Sequence, residues 1–258
     1  MRYFLLLLLL ASCGGGGGSV PVTPSTPRTD RAYFGYYGGV QSENPEATII
    51  FASTWHGQDA QLRQVIEASQ AGLPVMLDIA AQMSLPLDPI ADEDRLVARL
   101  QAIRGAAALS SIAALYFDEL DHMGRYNDAA ALEMANVLRR ASARAGITPK
   151  LATSYSVSGT FPGAAGWDWI GTSNPDDRLK SVIRPHQRIL LVARGADPWR
   201  DDPALFLNSV QTDPQVICLL VFAWTGGNES GDANNWGAGV RSNGMATIYR
   251  QVGLKIKG

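Results

Sequence analysis

Apolar residues along this chain gather in short, nearly unbroken runs, separated by stretches in which they recur every three or four positions. The runs are AYFGYYG from Ala32, ATIIFAST from Ala47, LPVMLDIA from Leu73, IAALYFDE from Ile112, PKLATSYS from Pro149, WDWIGTS from Trp167, RILLVARG from Arg188 and VICLLVFAW from Val216. Each predicts a β-strand. Several do not alternate with polar residues, so these strands are expected to be covered on both faces, as in a parallel sheet. The stretches between them predict helices: DAQLRQVIEASQAG closes at Gly72 as a helix closes at a C′ glycine, and DEDRLVARLQAIRGAAAL and NDAAALEMANVLRRASARAG carry apolar residues at helical spacing. DPALFLNSVQ and GMATIYRQVG are shorter stretches of the same kind.

Strands alternating with helices in about 230 residues predict a compact (β/α)8 TIM barrel. Two connections are too poor for full crossover helices: few residues separate Gly39 from Ala47, and the stretch from Ser158 to Gly166 has no helical pattern. One or two crossover helices are therefore expected to be missing or reduced. An open doubly wound sheet is the competing arrangement.

The N-terminal segment does not fit this alternation. Residues 1–12, MRYFLLLLLLAS, have one positive residue, an apolar run too short to span a bilayer as a helix, and then small residues, which is the pattern of a cleaved targeting signal. Leu10-Ala11-Ser12-Cys13 resembles the lipobox of bacterial lipoproteins. The resemblance implies lipid on Cys13, a mature chain anchored to a membrane outside the cytoplasm and, with Gly14 next to the cysteine, placement at the outer membrane. Residues 13–30 continue as a Gly, Pro, Ser and Thr linker that cannot bury a core, leaving 31–258 as the folded domain.

Composition narrows the function classes. The chain is 46% hydrophobic with a net charge of -2, which gives no support for a nucleic-acid partner. Beyond Cys13 the only cysteine is Cys218, in an apolar run, so it is expected to be a buried hydrophobe without a disulfide. No Gly-rich phosphate loop joins a strand to a helix. His56, His122 and His186 are scattered without zinc-ligand spacing, and Ser154 and Ser173 lack a nucleophile elbow, so neither a cofactor nor a metal is expected.

In a (β/α)8 barrel the active site forms at the C-terminal ends of the strands. The polar and aromatic residues of this chain collect there. In strand order they are Tyr36 and Tyr37; Trp55 and His56; Asp78; Asp118 and Glu119, followed by Asp121 and His122; Ser154 and Tyr155; Ser173 and Asn174; Arg194, Asp197 and Trp199; and Trp224, followed by Asn228, Glu229, Asp232 and Trp236. Carboxylates ringed by aromatic side chains suit a sugar, whose C–H faces stack on rings and whose hydroxyls bond to acids, amides and arginines. Cleaving a glycosidic bond usually takes two acids.

ALYFDELD resembles the fourth strand of glycoside hydrolase (β/α)8 barrels, WDWIGTSNP is similar to their sixth, and LLVFAWTGG to the eighth. By that resemblance Glu119 is the general acid/base and Asp118 shapes its pKa or contacts substrate; an open cleft on a tethered domain suits a polysaccharide substrate better than a small sugar. Tyr36, Tyr37, Trp55, Tyr155, Asn174, Arg194, Trp199 and Trp224 are the expected substrate-binding residues. The seventh strand lacks the glutamate that serves as nucleophile in many of these enzymes. Asp78 is the first candidate for the second carboxylate, followed by Asp197, Asp121 and Glu229, whereas chitinase-like barrels would use the substrate's acetamido group instead. Adjacent strand residues face opposite ways, so Asp118 and Glu119 share a cleft only if the strand ends or kinks there. Two other readings remain: a barrel that binds carbohydrate without cleaving it, and an envelope lipoprotein whose acids, like Asp88 and Asp92 to Asp94, cap helices.

Overall fold

The apolar runs do form strands, and all eight lie in one parallel sheet. The structure is a computed structural model and describes residues 32–122, 126–155, 160–172, 177–195, 202–225 and 239–258. The strands are β1 (Tyr33–Tyr36), β2 (Ile50–Ala52), β3 (Val75–Asp78), β4 (Ile112–Phe117), β5 (Lys150–Tyr155), β6 (Trp169–Thr172), β7 (Arg188–Ala193) and β8 (Val216–Val221). The helices are α1 (Gln58–Gln70), α2 (Pro89–Arg104), α3 (Asp128–Arg144), α4 (Asp177–Val182), α5 (Pro203–Thr212) and α6 (Ala246–Lys257).

The strand order is β2-β3-β4-β5-β6-β7-β8-β1, consecutive and without a reversal point. That order is the order of a barrel and excludes the doubly wound sheet. The seam between β1 and β2 is closed by a parallel bridge from Tyr37 to Phe51 and by Thr48, whose N–H donates to Phe34 O at 2.8 Å and whose Oγ1 accepts from Phe34 N at 2.8 Å. The two poor connections carry no α-helix: turns join β1 to β2, and among the described residues the β5–β6 connection holds only a short 3-10 turn, Ala164–Gly166.

Local chemistry starts and stops the helices. Asp88 caps α2, its carboxylate accepting from Ala91 N at 3.1 Å, and Pro89 occupies the first helical position. Asn127 caps α3 through Ala130 N, and Asp202 caps α5 through Ala204 N. Gly72 and Gly146, both at positive φ, follow the ends of α1 and α3.

The strand wall separates two apolar layers. Phe34, Leu77, Leu115, Leu151, Ile170, Leu191 and Leu219 face outward and pack with helix residues such as Val65, Leu96, Leu138 and Tyr249. Tyr37, Phe51, Met76, Tyr116, Trp169, Leu190, Cys218 and Leu220 form a second cluster that fills the barrel. Cys218 is buried and unpaired, and burial pushes its thiol far above the ordinary range, so it serves as packing. Among the described residues no helix is long and apolar enough to cross a membrane.

Candidate active site

Strand alternation decides which side chains reach the inside of the barrel mouth. Asp78 follows inward-facing Met76 by two residues, Asp118 follows Tyr116, Ser154 follows Ala152, and Arg194 follows Leu190 and Val192 on the same parity. The register pairs Asp78 with Tyr116 and Phe117 with Thr153, which brings Asp118 beside Ser154. Three adjacent strands therefore deliver polar groups to one patch.

A hydrogen-bonded chain runs through that patch from the barrel interior. The Tyr37 hydroxyl donates to the Tyr116 hydroxyl, and Tyr116 donates to Asp118 Oδ1 at 2.7 Å. The Ser154 hydroxyl donates to the same Asp118 oxygen. Burial first, and then the Asp118 charge, push both tyrosine hydroxyls well above their ordinary range, so they stay protonated donors. The rings are locked in place: Tyr37 stacks on Phe51 at 3.8 Å between centroids, and Phe51 meets Tyr116 edge-on at 5.0 Å. Asp118 is thus fixed from below and from the side.

Glu119 reaches the same mouth by a different route. Regular alternation would turn it outward, but β4 ends at Phe117 and Glu119 has φ +43°, the only non-glycine with positive φ among the described residues. This left-handed turn is held by the Glu119 N–H donating to Ser154 Oγ at 2.9 Å and the Leu120 N–H donating to Ser154 O at 3.0 Å. The Glu119 side chain remains 43% exposed, with Oε2 2.9 Å from His122 Nδ1. Burial raises its pKa, the Asp118 charge raises it further, and His122 and Arg194 pull it down. A partly desolvated carboxyl beside a second acid holds its proton more tightly than a free carboxyl does.

Asp78 is engaged otherwise. Its Oδ2 accepts from Thr54 N at 3.1 Å and Thr54 Oγ1 at 2.7 Å, and its Oδ1 accepts from Ala80 N at 2.9 Å. Burial raises its pKa while the Ala80 and Thr54 donors oppose the rise. Through these bonds Asp78 ties the β2 and β3 ends together.

Aromatic side chains wall one flank. Trp55, 36% exposed, lies 5.5 Å from Tyr37 and 5.0 Å from Phe222 between ring centroids. His56 Nε2 stands 3.1 Å from Thr225 Oγ1, linking the turn after β2 to the segment after β8. Phe222 is joined to Ala223 by a cis peptide.

Three of the expected binding residues are not brought to this mouth. Tyr36 faces outward and its hydroxyl donates to buried Glu46 at 2.7 Å. Trp224 packs on Tyr36 at 5.0 Å, lies under the Arg250 guanidinium and donates Nε1–H to Glu43 at 2.5 Å. Tyr155 also belongs to the outer layer, donating to Pro162 O at 2.8 Å. These residues fasten helices and loops to the wall. Asn174, Trp199, Asp197, Glu229 and Cys13 lie outside the described residues. Conversely, Tyr116 and Phe222 stand in the site without having been singled out for it, and Ser154, read at the end of its strand, takes the place expected of it. Tyr116 was legible, since it precedes Asp118 by two on one strand; Phe222 carries no such signal.

Among the described residues no cluster of three or more His, Cys, Asp or Glu side chains could hold a metal ion. The described residues bring carboxyl groups, hydroxyls, two histidines and an arginine to the mouth.

No family model and no curated protein matches this chain. Solved structures do. A glucosidase from Croceicoccus marinus superposes with a TM-score of 0.62 at 12% identity, covering 90% of this chain and 69% of that one. A β-1,3-glucanosyltransferase from Rhizomucor miehei, crystallised as an active-site mutant with laminaritriose, gives 0.54 at 14% identity over 81% and 92%. A β-1,4-mannanase of glycoside hydrolase family 113 gives 0.52 at 10% identity over 88% and 99%. At these identities the likeness establishes the barrel fold.

Proposed function

We propose that the protein is a glycoside hydrolase that cleaves a polysaccharide with Glu119 as general acid. The observation that carries this reading is the Glu119 carboxyl, turned into the barrel mouth by a positive φ and raised in pKa by burial and by Asp118. The names of the similar structures, three of which act on glucose- or mannose-type glycans, support the same substrate class.

In this reading a sugar stacks on Trp55 with its glycosidic oxygen at Glu119. The Glu119 O–H gives its proton to that oxygen as the bond to the anomeric carbon breaks, and the leaving sugar departs as an alcohol. Asp118, held by Tyr116 and Ser154, faces the positive charge that develops at the anomeric carbon, directly or by orienting a 2-acetamido group on the substrate. Water then adds to that carbon, and the Glu119 carboxylate takes its proton. Because Asp78 is hydrogen-bonded at both oxygens, Asp118 is the better second carboxylate.

The targeting pattern of residues 1–12 supports an activity outside the cytoplasm. Cleavage before Cys13, lipid on its thiol and the flexible 13–30 linker would hold the barrel, residues 31–258, at a bacterial outer membrane within reach of envelope or external glycans. Loss of palmitate labelling on Cys13→Ala tests the anchor.

Reducing-end release by the full chain from exopolysaccharides, peptidoglycan, chitin-like and plant glycans tests the chemistry, run beside Glu119→Gln. Release lost in the variant supports the hydrolase. A second reading, a carbohydrate-binding envelope lipoprotein without catalysis, is favoured by the run from Arg188 to Arg194, which ends β7 without a glutamate. Binding of one glycan by both proteins without release from any would select it.

A further inference from the structure

A cavity of about 300 Å³ opens on the outer flank of the barrel, between α1, the turn after β3 and α2, lined by Gln58, Gln82, Arg95, Ala98, Arg99 and Ala102. It is separate from the barrel mouth, whose carboxylates lie on the inner side of the wall.

Arg99 makes this cavity unusual. Its side chain is buried, at 8% exposure, yet every acceptor it meets is neutral: Nε donates to Gln61 Oε1 at 3.0 Å, and Nη2 donates to Gln58 O at 2.6 Å and Gln61 Oε1 at 2.8 Å. Among the described residues no carboxylate forms an ion pair with it, and Asp59 reaches it only as a through-space charge. Buried cations are ordinarily paired, because removing the charge from water is costly without an opposite charge. Arg95, half exposed, lines the same cavity, with Nε donating to Gln82 O at 3.1 Å.

A second observation comes from Gln82, 3% exposed, whose side-chain oxygen has no hydrogen-bond partner. An orphaned acceptor beside a cation with spare donors asks for a ligand with both characters. A carboxylate would take the free guanidinium donors, and a hydroxyl on the same molecule would give its proton to Gln82 Oε1. Ala98 and Ala102, with Ala81 beside them, leave room for a sugar-sized body.

We propose that this flank cavity binds a small hydroxylated carboxylate with the dimensions of a sugar acid, its carboxylate on Arg99 and a hydroxyl on Gln82. The site does not depend on the hydrolase reading. It is nonetheless joined to the barrel end, because Gln61, which Arg99 holds, donates Nε2–H to Asp78 O at 2.6 Å and to Ala52 O at 3.0 Å.

Isothermal titration of the full chain with D-glucuronate, D-glucose and inorganic phosphate tests this. Arg99→Gln removes the charge but also the three hydrogen bonds to Gln58 and Gln61, so the deciding variants are Ala98→Leu and Ala102→Leu, which fill the cavity from the exposed side of α2. Saturable glucuronate binding, at least about tenfold tighter than glucose or phosphate and weakened at least about tenfold in whichever of the two filled variants keeps the wild-type melting temperature, is the expected result. No saturable binding, phosphate binding as tight as glucuronate, or binding undiminished in the filled variants would overturn the proposal, the last by placing the ligand elsewhere.

Discussion

The Glu119 backbone N–H donates to Ser154 Oγ at 2.9 Å. The same hydroxyl donates to Asp118, so one small side chain on β5 positions both acids at the end of β4. It also holds a glutamate in a left-handed conformation that glutamate rarely adopts unaided.

Ser154→Ala removes that clasp without adding bulk. The expected outcome is a kcat reduced by about tenfold or more with KM little changed, because the lost contact aims the two carboxyl groups proposed for catalysis and does not touch the sugar. The stability cost should be about 1–3 kcal/mol, since the variant leaves the Glu119 N–H unpartnered. Steady-state kinetics with a urea titration of the same preparation checks both parts.

The pH profile of kcat/KM should carry the charges around Glu119. A general acid must be protonated, so activity falls on the alkaline side as pH rises through its pKa. Asp118 raises that pKa, so Asp118→Asn should move the alkaline limb to lower pH, along with any loss of rate. Arg194 lowers it, so Arg194→Gln should move the limb to higher pH. Shifts in the same direction for both variants would mean that another group sets the limb.

Asp78 separates an anchor from a nucleophile. Removing a buried acceptor of three hydrogen bonds should lower the stability of Asp78→Ala by about 2–4 kcal/mol in chemical denaturation. The milder Asp78→Asn should keep kcat within about tenfold once the folded fraction is measured, whereas a loss beyond about a thousandfold would mark Asp78 as the nucleophile.

Gly171 on β6 lies opposite Ser154 in the register. A Cβ there would stand 2.9 Å from Thr153 O and 3.0 Å from Ser154 Cβ, so glycine is needed for close approach. Gly171→Ala should cost about 1–3 kcal/mol and lower kcat in the same way as Ser154→Ala, by displacing the clasp. A melting curve and kcat for the two variants side by side provide the check.

How much was legible follows from burial. Strand number and the helix-poor connections could be read because unbroken apolar runs with helical stretches between them admit few folds, and the cap at Asp88 followed local rules. Which side of each strand faces inward could not be read, because a strand apolar on both faces has no alternation to mark its inner side. Tyr36, Tyr155 and Trp224, all next to inward-facing positions, were therefore expected in the mouth and instead pack outward. The turn at Glu119 was equally hidden, since it depends on a hydroxyl of β5, 35 positions along the chain.

If Glu119 delivers a proton to the departing oxygen, the rate lost without it depends on the leaving group. Once the sugar is known from the glycan panel, Glu119→Gln and wild type are compared on a natural glycan fragment and on the nitrophenyl glycoside of the same sugar, whose leaving group needs little protonation. The expected result is a loss of about a thousandfold or more on the natural fragment and a much smaller loss on the nitrophenyl glycoside. Equal losses on both substrates would contradict it and remove Glu119 from the acid's role.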